Sequence, residues 1–181
     1  MAFNSRHPFG ATPYHPEELQ RRRDDWYATV RRRTEDLATR LHHNSTNYPH
    51  SKPLRGSVQF DYSHHDGYYR LGEGNCEFLT HWSKASDTSI YCYRDGTNVS
   101  LALPPKNIRL QEITEASLLN FSSRVRTPQI GQFVVLENHC GRYAALKLLK
   151  IQDDTRGHLE DLLAFDYWIL EDGTDSFADL D

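Results

Sequence analysis

The sequence predicts a mainly β fold (α+β overall): an antiparallel barrel or sandwich of about seven to eight strands, preceded by an N-terminal amphipathic helix. Three observations point there. Apolar residues recur at helical spacing only up to about residue 44, and beyond that the period changes to two. Short alternating runs then follow one another with Gly, Pro, Asn and Asp between them. Three strongly apolar runs, "FVVLEN", "RYAALKLLKI" and "LLAFDYWIL", close the series.

The chain of 181 residues is long enough for one ordinary domain and an appendage. Residues 1–14 lack periodicity and read as a flexible arm. Residues 15–44 read as a charged helix, with Pro16 in its first turn and Glu17 and Glu18 at the positive end of its dipole. Leu19, Trp26, Val30, Leu37 and Leu41 form a narrow stripe, closer to a coiled-coil seam than to a helix sunk in a core. The triplets Arg21–Arg23 and Arg31–Arg33 place Arg21, Arg31 and Arg32 four residues before Asp25, Glu35 and Asp36, as on a solvated helix face. The stripe needs a partner, either the β domain or the same helix in a second copy.

A linker at 45–55 leads to a β domain at 56–171 and an acidic tail at 172–181, too poor in apolar residues to fold alone and expected to fray. Val58, Phe60 and Tyr62 alternate with polar residues as in a half-buried strand. "HHDG" and Asp95-Gly96 read as hairpin turns, and Gly72 and Gly74 as a bend. In "CEFLTHWS", Cys76, Phe78, Thr80 and Trp82 share one face, opposite Glu77, Leu79 and His81. "NIRLQEITEASLLNF" is ambiguous between a strand and a short helix starting near Thr114, and "SSRVRTPQIGQ" is extended.

The net charge of −4 is unevenly spread. Residues 1–55 carry ten Lys/Arg against six Asp/Glu, and the rest carry eleven against nineteen. The acidic surplus of the β domain makes nucleic acid an unexpected partner. No apolar run approaches the roughly 20 residues that span a bilayer, and "MAFNSRHPFGATPYHPEEL" lacks a signal-peptide pattern. A soluble cytoplasmic protein without membrane contact is expected. Cys76, Cys92 and Cys140 lack CxxC spacing and read as reduced, buried thiols.

No cofactor and no metal are expected. The ten histidines include no HxH or HxxxH pair, and neighbouring histidines on a strand point to opposite faces. "DDTRGHLED" offers Asp153, Asp154, Glu160 and Asp161, read as a solvated hairpin loop. Neither GxSxG nor GxxxxGK[ST] occurs.

Two candidate faces remain. Ser89, Tyr91 and Tyr93 share one side of a strand, and rigid tyrosine rings give contact area at low entropic cost. Arg124 and Arg126 stand at i,i+2 on an extended segment with Ser122 in the same alternation, which suits a carboxylate or phosphate. Cross-strand tyrosine packing and pairing of the arginines with nearby acids explain the same residues without a ligand. The sequence therefore suggests a non-catalytic recognition module for a protein or a small anionic molecule, bound by Ser89, Tyr91, Tyr93, Ser122, Arg124 and Arg126. Residues 15–44 would mediate homo-oligomerisation or docking. The alternatives are a small hydrolase or transferase using His81 or His64 near Cys76 or Asp61, and a structural assembly subunit.

Overall fold

Alternation becomes strand where one face of the chain has a core to reach. The computed structural model describes Arg21, which is helical, and residues 48–180. The expected arm at 1–14 and, Arg21 apart, the helix at 15–44 lie outside the described residues. In chain order the strands are β1 His50–Ser51, β2 Arg55–Phe60, β3 Tyr68–Leu71, β4 Phe78–Lys84, β5 Ile90–Tyr93, β6 Val99–Ala102, β7 Val125–Arg126, β8 Phe133–Asn138, β9 Tyr143–Gln152 and β10 Leu162–Ile169. They form two five-stranded sheets, β1-β3-β4-β5-β7 and β2-β10-β9-β8-β6. The fold is mainly β and does not close into a barrel. Among the described residues no helix is long and apolar enough to cross a membrane.

The expected alternation in β4 holds. Phe78, Thr80 and Trp82 face inward and are buried, together with Leu71, Ile90 and Cys92 from the same sheet and Val134, Leu146, Leu163 and Phe165 from the other. The last three strands are apolar on both faces because both are covered. Phe133, Val135, Tyr143 and Ala145 point outward, into a second cluster with Leu110, Ile113, Ala116, Leu170 and Phe177. The ambiguous segment is thus neither strand nor α-helix. It makes two short 3₁₀ turns, Leu110–Glu112 and Ala116–Leu118, laid over the second sheet.

Four expectations need correction. The two hairpin signals are instead arches between sheets: "HHDG" joins β2 to β3, and Asp95-Gly96 separates β5 from β6. A turn sequence specifies a reversal but not which sheet receives the next strand. At the first arch a Cβ on Gly67 would lie 2.0 Å from the Trp82 carbonyl oxygen, so only glycine fits. The described part of the linker, residues 48–55, carries structure, since β1 pairs in parallel with β3 and Ile169 N–H donates to Leu54 O at 2.7 Å. The acidic tail does not fray up to residue 180: Phe177 is fully buried and donates its N–H to Ile113 O at 2.9 Å. Cys140 is exposed rather than buried, because it sits on the β8–β9 turn, while Cys76 and Cys92 are buried as expected. Burial pushes the Cys92 thiol well above its ordinary range.

Two asparagines fasten the sheets together at one end. Buried Asn138 donates to Asn75 O at 2.8 Å and Glu77 O at 3.0 Å, and accepts from Cys140 N–H at 2.9 Å and Arg142 N–H at 3.0 Å. Asn98 donates to Glu77 O at 3.0 Å and accepts from Leu79 N–H at 2.8 Å. Replacing Asn138 with Ala takes this partner from three backbone groups, Asn75 O, Cys140 N–H and Arg142 N–H, while Glu77 O keeps Asn98. The expected loss is about 2 kcal/mol, read as a lower urea midpoint with an unchanged slope.

Candidate functional site

The outer face of the first sheet carries a row of aromatic rings built by strand register. Tyr68 lies opposite His81 across β3 and β4, and Ser83 lies opposite Tyr91 across β4 and β5. The same alternation brings Tyr93 beside His81. Tyr48, just before β1, stacks on Tyr68 with centroids 4.8 Å apart, and Tyr68 stacks on His81 at 4.3 Å and 11°. His81 meets Tyr93 at 5.1 Å, and Tyr93 meets Tyr91 at 6.0 Å. All four spacings fall in or near the range of attractive ring pairs. Tyr68, stacked on both faces, has mainly its rim left for other contacts. Tyr91, at the end of the row, is 39% exposed. Gly96 makes room beneath, since a Cβ there would lie 2.3 Å from the Tyr68 hydroxyl.

Burial holds the His81 imidazole below the usual histidine range, so it is neutral at pH 7. Its Nδ1 lies 3.4 Å from the Asp95 carbonyl oxygen. Ser83 Oγ and the Tyr93 hydroxyl hydrogen-bond at 3.0 Å. The face is therefore apolar in its rings and polar along their rims.

Of the six residues singled out in the sequence, Tyr91 and Tyr93 lie in this row. Ser89 does not extend it: its hydroxyl pairs with Ser86 Oγ at 2.6 Å, inside the serine-rich turn. Ser122 donates to Asn120 Oδ1 at 2.6 Å, another local turn. Arg124 grips Asp95, with Nε 3.2 Å from both carboxylate oxygens, and this pairing holds the Asp95 carboxyl below its usual range. Both partners are exposed, so the pair contributes little stability. Arg126 lies opposite Cys92 in the β5–β7 register, on the inward side. It donates to the Leu101 and Asn120 carbonyls. Asp95 thus links Arg124, through its carboxylate, to His81 of the row, near its carbonyl, while Arg126 lies on the other face of the sheet.

Tyr48 and Tyr68 were missed, and His81 was singled out only for the alternative enzymatic reading, because their adjacency depends on pairings between segments distant in sequence. The grouping of His81 opposite Trp82 was the one available signal. Of the residues of the alternative enzymatic reading, His64 and Asp61 meet as a pair. His64 lies 3.7 Å from Asp61, both near the surface, whereas His81 sits in the aromatic row and Cys76 beneath the turn at Gly74.

A second cluster amends the reading of the β9–β10 connection as a solvated loop: residues 154–160 are exposed, but the aspartates that flank them are not. Asp153 and Asp161 are buried, at 2% and 3% exposure. Lys84 Nζ, from the end of β4, lies 3.2 Å from Asp153 and 2.9 Å from Asp161, and also bonds Asp154. The three carboxylates have ligand atoms within 4.8 Å of one another, a spacing able to hold a cation. Here the Lys84 ammonium sits among all three, and Arg156 Nε adds a second cation 3.2 Å from Asp153. Two hydrogen bonds from Thr155 are the main reason the Asp153 carboxyl is held down at about 2, with Lys84 adding to them. Tyr62 caps the cluster, its hydroxyl 2.7 Å from Gln152 O and 3.4 Å from Asp161.

Fold and site together define a mainly β, two-sheet domain with an aromatic outer face. Comparison with known proteins gave no match to any protein family, curated protein or solved structure.

Proposed function

We propose that this chain is a non-catalytic recognition module that binds a protein partner through the outer face of β3, β4 and β5. The observation that carries this reading is the continuous row Tyr48–Tyr68–His81–Tyr93–Tyr91. Partly exposed aromatic rings with polar rims suit a protein surface, where few rigid rings supply most of the binding energy. A protein is favoured over a small anion because Asp95 meets the charge of Arg124 and backbone carbonyls engage Arg126. The helix expected at 15–44 would add self-association or docking.

A benzophenone amino acid placed at Tyr91 tests the reading against the same group at Leu159, a fully exposed loop position. The expected result is a discrete protein adduct from position 91 and none from 159. Adding Tyr93→Ala to the chain that carries the label at position 91 should cut the adduct yield roughly tenfold. No adduct at 91, or the same adduct from both positions, overturns the proposal.

A further inference from the structure

Every open sheet exposes two edges, and folded proteins blunt them with short strands, charges, proline or a neighbouring chain. Three of the four edges here are blunted. β1 and β7 have two residues each. β6 has four, and its Leu101 carbonyl accepts from Arg126. The fourth edge, β2, differs. It runs six residues, "RGSVQF", without proline and with one charge. Among the described residues its backbone pairs only with β10, which leaves its other side unbonded.

We infer that the free edge of β2 pairs antiparallel with β2 of a second copy of this chain, making one continuous ten-stranded sheet. A two-fold axis requires that facing residues share a sheet face, so the axis must pass through a residue position. Centring it on Val58 gives a self-consistent register. Val58 meets its counterpart toward the core, and Ser57 meets Gln59 on the outside. Gly56 meets Phe60, so no two bulky side chains oppose each other there. Arg55 meets Asp61, twice, because the two-fold repeats the contact.

The residues of this register are fitted to it. Arg55, Ser57 and Gln59 are exposed. Arg55 has no carboxylate within ion-pair distance among the described residues, in a domain with surplus acid. Asp61 holds Ser63 through Oδ1, at 2.9 Å from its N–H, while Oδ2 has only the exposed His64 at 3.7 Å. Its carboxyl is pulled up by burial, but the bonds from Ser63 outweigh this and keep it low and charged. The occupant is a second copy rather than an unrelated strand because the edge supplies both members of the ion pair. This dimer is separate from recognition by the aromatic face, and each can fail alone.

Sedimentation velocity of the full chain over a concentration series tests the inference, with hydrogen exchange of the amides at 55–60. The wild type should dimerise, and those amides should slow only where the dimer forms. Arg55→Asp and Asp61→Arg should each raise Kd about tenfold, and the double reversal should restore it. Ser57→Lys with Gln59→Lys places like charges across the axis at exposed positions and should leave a folded monomer. A chain that stays monomeric overturns the inference, and so does a dimer indifferent to all four variants.

Discussion

Replacing Phe177 with Ala is expected to destabilise the domain by about 3–5 kcal/mol, the range for deleting a fully buried aromatic side chain. The effect would come from a segment whose composition argues against folding alone. The reasoning starts from what the tail covers. Phe133, Val135, Tyr143 and Ala145 face outward from the second sheet, and without a cover this face would be an exposed apolar patch. Phe177 fills it together with Leu110, Ile113 and Ala116. The backbone is tied on both sides: Ala116 N–H donates to Asp175 O at 2.8 Å, and Gln111 Nε2 donates to Leu180 O at 2.7 Å. Urea unfolding of Phe177→Ala measures the cost. A change within about 0.5 kcal/mol, as for a surface substitution, would mean the tail contributes nothing to the fold.

The strands were legible because alternation reports a half-buried strand directly. Eight of the ten have four residues or more and fall on the runs that periodicity marks. The two-residue strands β1 and β7 are too short to carry a period. Sheet membership was not legible: the glycine turns at Gly67 and Gly96 look alike whether the chain returns to the same sheet or crosses to the other. The tail was misread because low apolar content excludes an independent core but not docking onto an apolar surface already built.

The candidate site was half legible for the same reason. Tyr91 and Tyr93 share a face by local alternation, which needs no knowledge of neighbours. Their continuation through His81 to Tyr68 and Tyr48 depends on three pairings among four strands. The i,i+2 rule for Arg124 and Arg126 assumed one straight strand. β7 covers only Val125–Arg126, and Arg124 lies on the bend before it, free to reach Asp95. Lys84 and the aspartates are about seventy positions apart, and nothing local to either reveals the other.

Lys84→Met should lower the melting temperature at neutral pH by about 10 °C, because it takes from buried Asp161 its only cation among the described residues and leaves buried Asp153 with Arg156 alone. Methionine keeps the length of the stem and removes the ammonium, so lost packing is a minor part of the change. The pH dependence separates charge from packing. Asp153 has a folded value of about 2 against an ordinary 3.8, so its contribution is complete above about pH 4 and disappears as pH falls through about 2. The Lys84 ammonium is held above its ordinary 10.5, chiefly by Asp154 and Asp161, so its share is complete below that value and lost only on strong alkalisation. The wild type should therefore show a broad plateau from about pH 4 upward. In Lys84→Met the carboxylates repel one another while charged, and protonation relieves them. The deficit should be greatest near pH 7 and shrink as the two curves converge below pH 4. Lys84→Arg, which keeps the charge, should recover part of the loss at pH 7. Thermal melts from pH 7 to pH 3 decide it: a deficit of constant size would show that Lys84 acts by its stem, and would remove the ion cluster from the account of why this loop is held against β4.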